Sequence, residues 1–171
     1  MTEVKHLTFG DVNAPITVES FINFACPYCK NYFKAADRAL SDLIKAGKVK
    51  HSIKHFDKTK QGLLKGTIAN IYLDYEQPEE TLNIIHQLYD TQEDWKKSFT
   101  IIEQTMEQKF NLKPQKAADE RSLAIAKETF ERGIGGIPTV FIDGNKFEFN
   151  PLEDSVEEIA TKLKAQLPLN K

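Results

Sequence analysis

The sequence predicts an α/β fold in which one sheet draws strands from both ends of the chain and a block of helices is inserted between them. Three observations lead there. A β-favouring run from Ile16 to Ala25 feeds directly into a helical pattern that begins at Pro27. From about Gln61 to Gly133 the chain carries helix-period apolar stripes and no strand signal. Strand character then returns at Thr139 to Ile142, and a last helical pattern closes the chain.

Taken in order, Asn13-Ala14-Pro15 punctuates a polar opening. In the run that follows, Ile16, Val18 and Ile22 share one parity and Phe21 sits on the other, as suits a central strand covered on both faces. Beyond Pro27, the residues Phe33, Ala36, Leu40, Leu43 and Ile44 recur at helical spacing, and Gly47 stands at the expected stop. Val49 to Phe56 reads as a shorter strand, parallel to the first across a crossover of suitable length.

Four helical stripes come next: Leu64 to Tyr75, Leu82 to Tyr89, Phe99 to Phe110 and Ser122 to Thr129, with Pro78 and Pro114 as breaks between them. They read as ordinary core. Asp143-Gly144-Asn145 makes a turn, after which Lys146 to Phe149 alternates as a hairpin partner would. From about Glu153, a helix with Val156, Ile159, Ala160, Leu163 and Leu167 on one face is expected to pack on the sheet. The expected division is 1–60 for the first part of the sheet domain, 61–132 for the all-helical insertion and 133–171 for the second part.

Charged residues make up 28% of the 171 but nearly cancel, to a formal net charge of −2, which leaves no electrostatic footprint for nucleic acid. No apolar run approaches the roughly 18–20 residues of a membrane span. The opening residues show no basic stretch followed by an apolar core, so the expectation is a soluble, cytoplasmic protein as written, or an extracytoplasmic one if a leader has been removed.

The chemistry concentrates in the two cysteines, Cys26 and Cys29. A bond between residues so close closes a tiny loop and cross-links almost nothing, so the pair is there for reactivity rather than stapling. Pro27 is favoured at the first helical position, which makes Cys26 the cap residue, its sulfur facing unpaired backbone N–H groups and the positive end of the helix dipole. A thiol so placed titrates below its free value and acts as the nucleophile. Cys29, one turn on and under the same face, suits the resolving role.

A zinc site competes on paper, because Cys26 and Cys29 are followed by His51 and His55 at finger-like spacings. Those histidines fall on a predicted strand, roughly 13 Å apart at about 3.3 Å per residue, too far to share one tetrahedral ion. They read as ordinary strand residues, and no metal is expected.

Cys26-Pro27-Tyr28-Cys29 at a strand–helix junction, the long helical insertion, and the later run Gly135-Gly136-Ile137-Pro138-Thr139-Val140-Phe141-Ile142-Asp143-Gly144 together resemble the bacterial DsbA family. The resemblance covers nearly the whole chain. It implies a thioredoxin-like fold with an inserted all-helical domain, and Pro138 as a cis-proline facing the cysteines. The Ile137 backbone, with Pro27 and Tyr28, would then receive an extended substrate segment like an added strand. No cofactor is implied beyond the redox-active disulfide Cys26–Cys29. The partners implied are protein substrates bearing thiols or disulfides, and a redox partner protein or low-molecular-weight thiol that resets the pair. In much of that family a buried acid lies six residues before the nucleophile, and here Ser20 holds that position, with Glu19 beside it on the wrong parity.

The leading expectation is therefore dithiol–disulfide exchange on protein substrates. Two alternatives stand beside it: a redox-responsive adaptor that holds a partner on its helical block, and a glutathione-dependent transferase or isomerase.

Overall fold

The computed structural model describes residues 4–58 and 60–169. The outermost limits of the predicted parts, and some of the opening residues read for an export leader, lie outside the described residues. The chain enters its sheet earlier than the polar opening predicts. Leu7–Phe9 forms an edge strand, β1, with Leu7 and Phe9 turned into the core. Three residues with a threonine between them leave too short an alternation to read from sequence. Then come β2 (Ile16–Ile22), the helix α1 (Pro27–Lys45) and β3 (Val49–His55). After the helical block follow β4 (Thr139–Ile142) and β5 (Asn145–Lys146). The sheet order is β1-β3-β2-β4-β5, with β2 and β3 parallel and the other pairs antiparallel.

Strand parity sets the layers. Ile16, Val18 and Ile22 of β2 face the main core, shared with Phe33, Ala36 and Leu40 of α1. The closing helix α7 (Val156–Gln166) buries Ile159, Ala160 and Leu163, and packs chiefly on α1 rather than directly on the sheet. It starts later than the apolar pattern predicts because Ser155 and Glu158 form a capping box. Phe21, on the opposite parity, joins Ile125 and Ile134 in a second, smaller cluster on the sheet's other face.

Between β3 and β4 the helices are α2 (Leu64–Tyr72), α3 (Pro78–Asp90), α4 (Gln92–Trp95), α5 (Phe99–Gln104) and α6 (Ala118–Glu131). Pro78 begins α3 at a position where its missing N–H costs nothing. α5 continues into a π-helical turn, Thr105–Lys109, which completes the apolar stripe read from sequence. These helices do two jobs. α2 to α5 share the main core, whereas α6 lies across the second sheet face, where Glu19, Lys54, Glu128 and Arg132 form a partly buried ion network with N–O distances of 2.7–2.9 Å. No helix among the described residues is long and apolar enough to cross a membrane.

Candidate active site

β2 ends at Ile22, three residues before the apolar run does, because Asn23 turns the chain. Its side-chain oxygen accepts the Ala25 N–H at 2.9 Å, and its carbonyl accepts the Cys26 N–H at 3.1 Å. Cys26 caps α1 with extended backbone angles, φ −84° and ψ 122°, and Pro27 follows in the first turn. Both cysteines are free thiols. Cys26 is 6% exposed and Cys29 fully buried, while Pro27 and Tyr28 are exposed beside them.

A hydrogen bond from the Cys29 thiol is the largest influence on Cys26. Burial works against it, but backbone N–H groups of Cys29 and Tyr28 and the charge of Lys96 add to it, bringing the Cys26 thiol down to about 6. Burial pushes the Cys29 thiol in the opposite direction, well above its ordinary value, and the shared bond with Cys26 adds to this. The Cys29 sulfur accepts the Asn23 N–H at 3.4 Å. The pair is thus polarised into an easily ionised sulfur near the surface and a protonated one beneath it.

The loop that presents Cys26 is held from three sides. His55 accepts the Phe24 N–H at Nε2, at 3.0 Å, and its Nδ1 lies 2.6 Å from Asp57 Oδ1, so the neutral ring donates to the carboxylate. Burial works against the Asp57 charge, but hydrogen bonds led by that from His55 keep the carboxyl below its ordinary range. Gln92 of α4 donates to the carbonyls of Phe24 and Cys26 at 2.7 and 3.1 Å. From α2, Gly66 comes so close that a Cβ there would fall on Asn23 Oδ1 and 2.7 Å from the Ala25 nitrogen.

Ser20 is buried beneath α1, where its hydroxyl lies 2.6 Å from the Tyr32 hydroxyl and 2.7 Å from His51 Nε2. Burial lowers the His51 imidazole to about 4, so it is neutral at physiological pH. Tyr32 stands one turn beyond Cys29 on α1, near enough for charge on that sulfur to be felt at its phenol, and burial above all raises the phenol. A neutral hydroxyl–imidazole cluster therefore occupies the place of a carboxylate, while Glu19 turns to the opposite sheet face toward Lys54 and Arg132.

His51 and His55 are strand residues of β3, as the sequence predicts, and each is also buried and hydrogen-bonded. One supports the core under the cysteines and the other the loop before them. The signal was present in their parity, since they alternate with Val49 and Ile53, which point into the core. They do not join the cysteines. Gln92 and Gly66 carried no comparable signal.

The Ile137–Pro138 peptide bond is cis, with Ile137 half-buried and Pro138 buried. The antiparallel register of Thr139 with Phe21 brings this segment to the end of β2 from which the Cys26 loop departs. Beside it lies a groove of about 410 Å³ bounded by Gly133 to Thr139, Arg132, Phe141, Lys146 and Pro151. Lys58 crosses from the end of β3 to donate to the Gly135 carbonyl at 2.7 Å.

A thioredoxin-like sheet, an inserted helical block and a Cys-Pro-Tyr-Cys turn at a helix N-terminus define a thioredoxin-fold protein with a helical insertion. The chain belongs to the thioredoxin family, whose model matches residues 2–162. Among solved structures, it is similar to a conserved protein of unknown function from Enterococcus faecalis V583, with 32% identity, 94% of this chain and 92% of that chain covered, and a TM-score of 0.82. It shares its fold with oxidised BdbD from Bacillus subtilis, at 16% identity, 97% and 94% coverage and a TM-score of 0.66. The T172V form of alpha-DsbA1 from Wolbachia pipientis also shares the fold, at 19% identity, 98% and 92% coverage and a TM-score of 0.67. No curated protein matches the chain.

Proposed function

We propose that this protein is a thiol–disulfide oxidoreductase that exchanges disulfides with protein substrates through Cys26 and Cys29. The observation that carries the reading is the opposite displacement of two thiols one helical turn apart, one lowered to about 6 and the other raised. As a reductase, the Cys26 thiolate attacks one sulfur of a substrate disulfide, and the other leaves as a thiolate that takes up a proton. Cys29 then loses its proton and attacks the Cys26 sulfur. The Cys26–Cys29 disulfide forms, the second substrate thiol departs, and two electrons have passed to the substrate.

Run in reverse, the same steps oxidise a client dithiol. A reducing compartment favours the first direction and an oxidising one the second, with a redox partner protein or small thiol resetting the pair. The electrons rest on the cysteine pair, so the reading calls for no other cofactor. Ile137, Pro138, Pro27 and Tyr28 form the surface against which the client segment lies.

The test is capture with Cys29→Ser, which permits attack but not resolution. Covalent client complexes that reducing agent dissolves, and that vanish in Cys26→Ser, support the reading. Failure of the native protein to reduce or oxidise any protein disulfide, with a Cys26 thiol titrating near its ordinary value, refutes it.

A further inference from the structure

The chain is nearly neutral, yet the residues framing Cys26 are not. Lys96, at the end of α4, is close enough for its charge to act on the Cys26 sulfur, and Lys58 is close enough to act on Cys29. Lys65 precedes Gly66, the residue pressed against the cysteine loop, and lies 4.8 Å from the centre of the half-exposed Phe99 ring. Lys146 stands exposed at the groove beside Pro138. Carboxylates are scarce here. No lining residue of that groove is acidic, and Arg132, which also lines it, is engaged by Glu19 and Glu128. Asp57 is turned inward to His55, and Glu93, 79% exposed, approaches Lys96 at no less than 3.8 Å.

We propose that the protein selects client segments carrying aspartate or glutamate beside the reacting cysteine, recognised by Lys58, Lys65, Lys96 and Lys146 around Cys26. The geometry assigns each lysine a side. Lys96 and Lys65 stand on the helical insertion with Phe99, whereas Lys58 and Lys146 flank the segment from Gly135 to Pro138. An extended client between these walls projects alternate side chains to opposite sides, so carboxylates on either flank of its cysteine meet ammonium groups. Like-signed clients meet the same ammonium groups as repulsion, which slows their encounter.

This inference rests on the exchange reading, and one experiment separates the two. Two symmetric peptide disulfides are compared, alike except for aspartate or lysine at the two positions on either side of the cysteine. Each is reduced by the full-length protein, and each rate is divided by that of the same peptide with dithiothreitol to remove intrinsic thiol reactivity. The expected acidic-to-basic ratio is about tenfold or more at low ionic strength, collapsing toward one at 1 M salt, where screening acts within about 3 Å. The double variant Lys65→Glu with Lys96→Glu is expected to bring the ratio below one. Because Lys96 also acts on Cys26, the ratio, not the absolute rate, is the readout. Equal normalised rates overturn the inference and leave the exchange reading standing. An acidic preference that survives both salt and charge reversal likewise overturns it. Exchange with neither peptide overturns both.

Discussion

Replacing Cys29 by alanine removes the donor that contributes most to the acidity of Cys26. A hydrogen bond to a charged acceptor contributes about 1.5–3 kcal/mol, which at about 1.4 kcal/mol per unit is roughly one to two pKa units. The Cys26 thiol therefore moves from about 6 to roughly 7–8, and its ionised fraction at pH 7 falls from roughly 90% to about 10–50%. Cys29→Ser keeps a hydroxyl donor and is expected to stay within about half a unit of the native value. The assay is the ultraviolet absorbance of the thiolate against pH, paired with alkylation rates over the same range. A Cys29→Ala protein whose Cys26 titrates like the native one refutes the reasoning, because the helix terminus and Lys96 would then suffice.

Two further outcomes follow from the same geometry. The Cys26 thiol lies near 9.0 unfolded and is held at about 6 in the fold. A depressed value contributes stability that is complete above the unfolded pKa and lost as pH falls through the folded one. The reduced protein should thus gain up to about 4 kcal/mol over Cys26→Ser between pH 6 and 9, read from denaturant melts, and a pH-independent difference contradicts this. Ser20→Ala strands the Tyr32 hydroxyl and His51 Nε2 in the core and should cost about 1–3 kcal/mol in such melts. A cost within error of zero shows that the cluster is not holding the core.

Beneath the cysteines the design is electrically neutral. A carboxylate under Cys29 would carry a charge that resists ionisation of the thiol until it takes up a proton. Ser20, Tyr32 and the neutral His51 offer hydroxyl and imidazole dipoles instead, while the charge of Lys96 acts on Cys26 and that of Lys58 on Cys29. Polarity of the pair therefore comes from the hydrogen bond between the two thiols, from the depth of Cys29 and from the backbone N–H groups at Cys26, with Lys96 adding to it.

Much was legible in the sequence because it rests on local rules. Alternating Ile16, Val18 and Ile22, the helical stripe after Pro27 and the proline at the first helical position prescribed the strand, the helix and the cysteine cap. The tertiary structure decided what depends on contacts distant in sequence. Leu7–Phe9 is a strand because β3 offers it an edge, and the run after Lys146 leaves the hairpin because Phe147 and Phe149 stack into the core, ring centres 4.8 Å apart. Gln92 reaches the carbonyls of Phe24 and Cys26, 68 and 66 positions away, and Lys58 reaches Gly135, 77 away. No periodicity within one element encodes such pairings. The sequence by itself determined which sulfur caps the helix, because a helix cap is a local feature. The fold determined what surrounds that sulfur, because burial, the hydroxyl–imidazole cluster and the lysine rim exist only once distant segments have met.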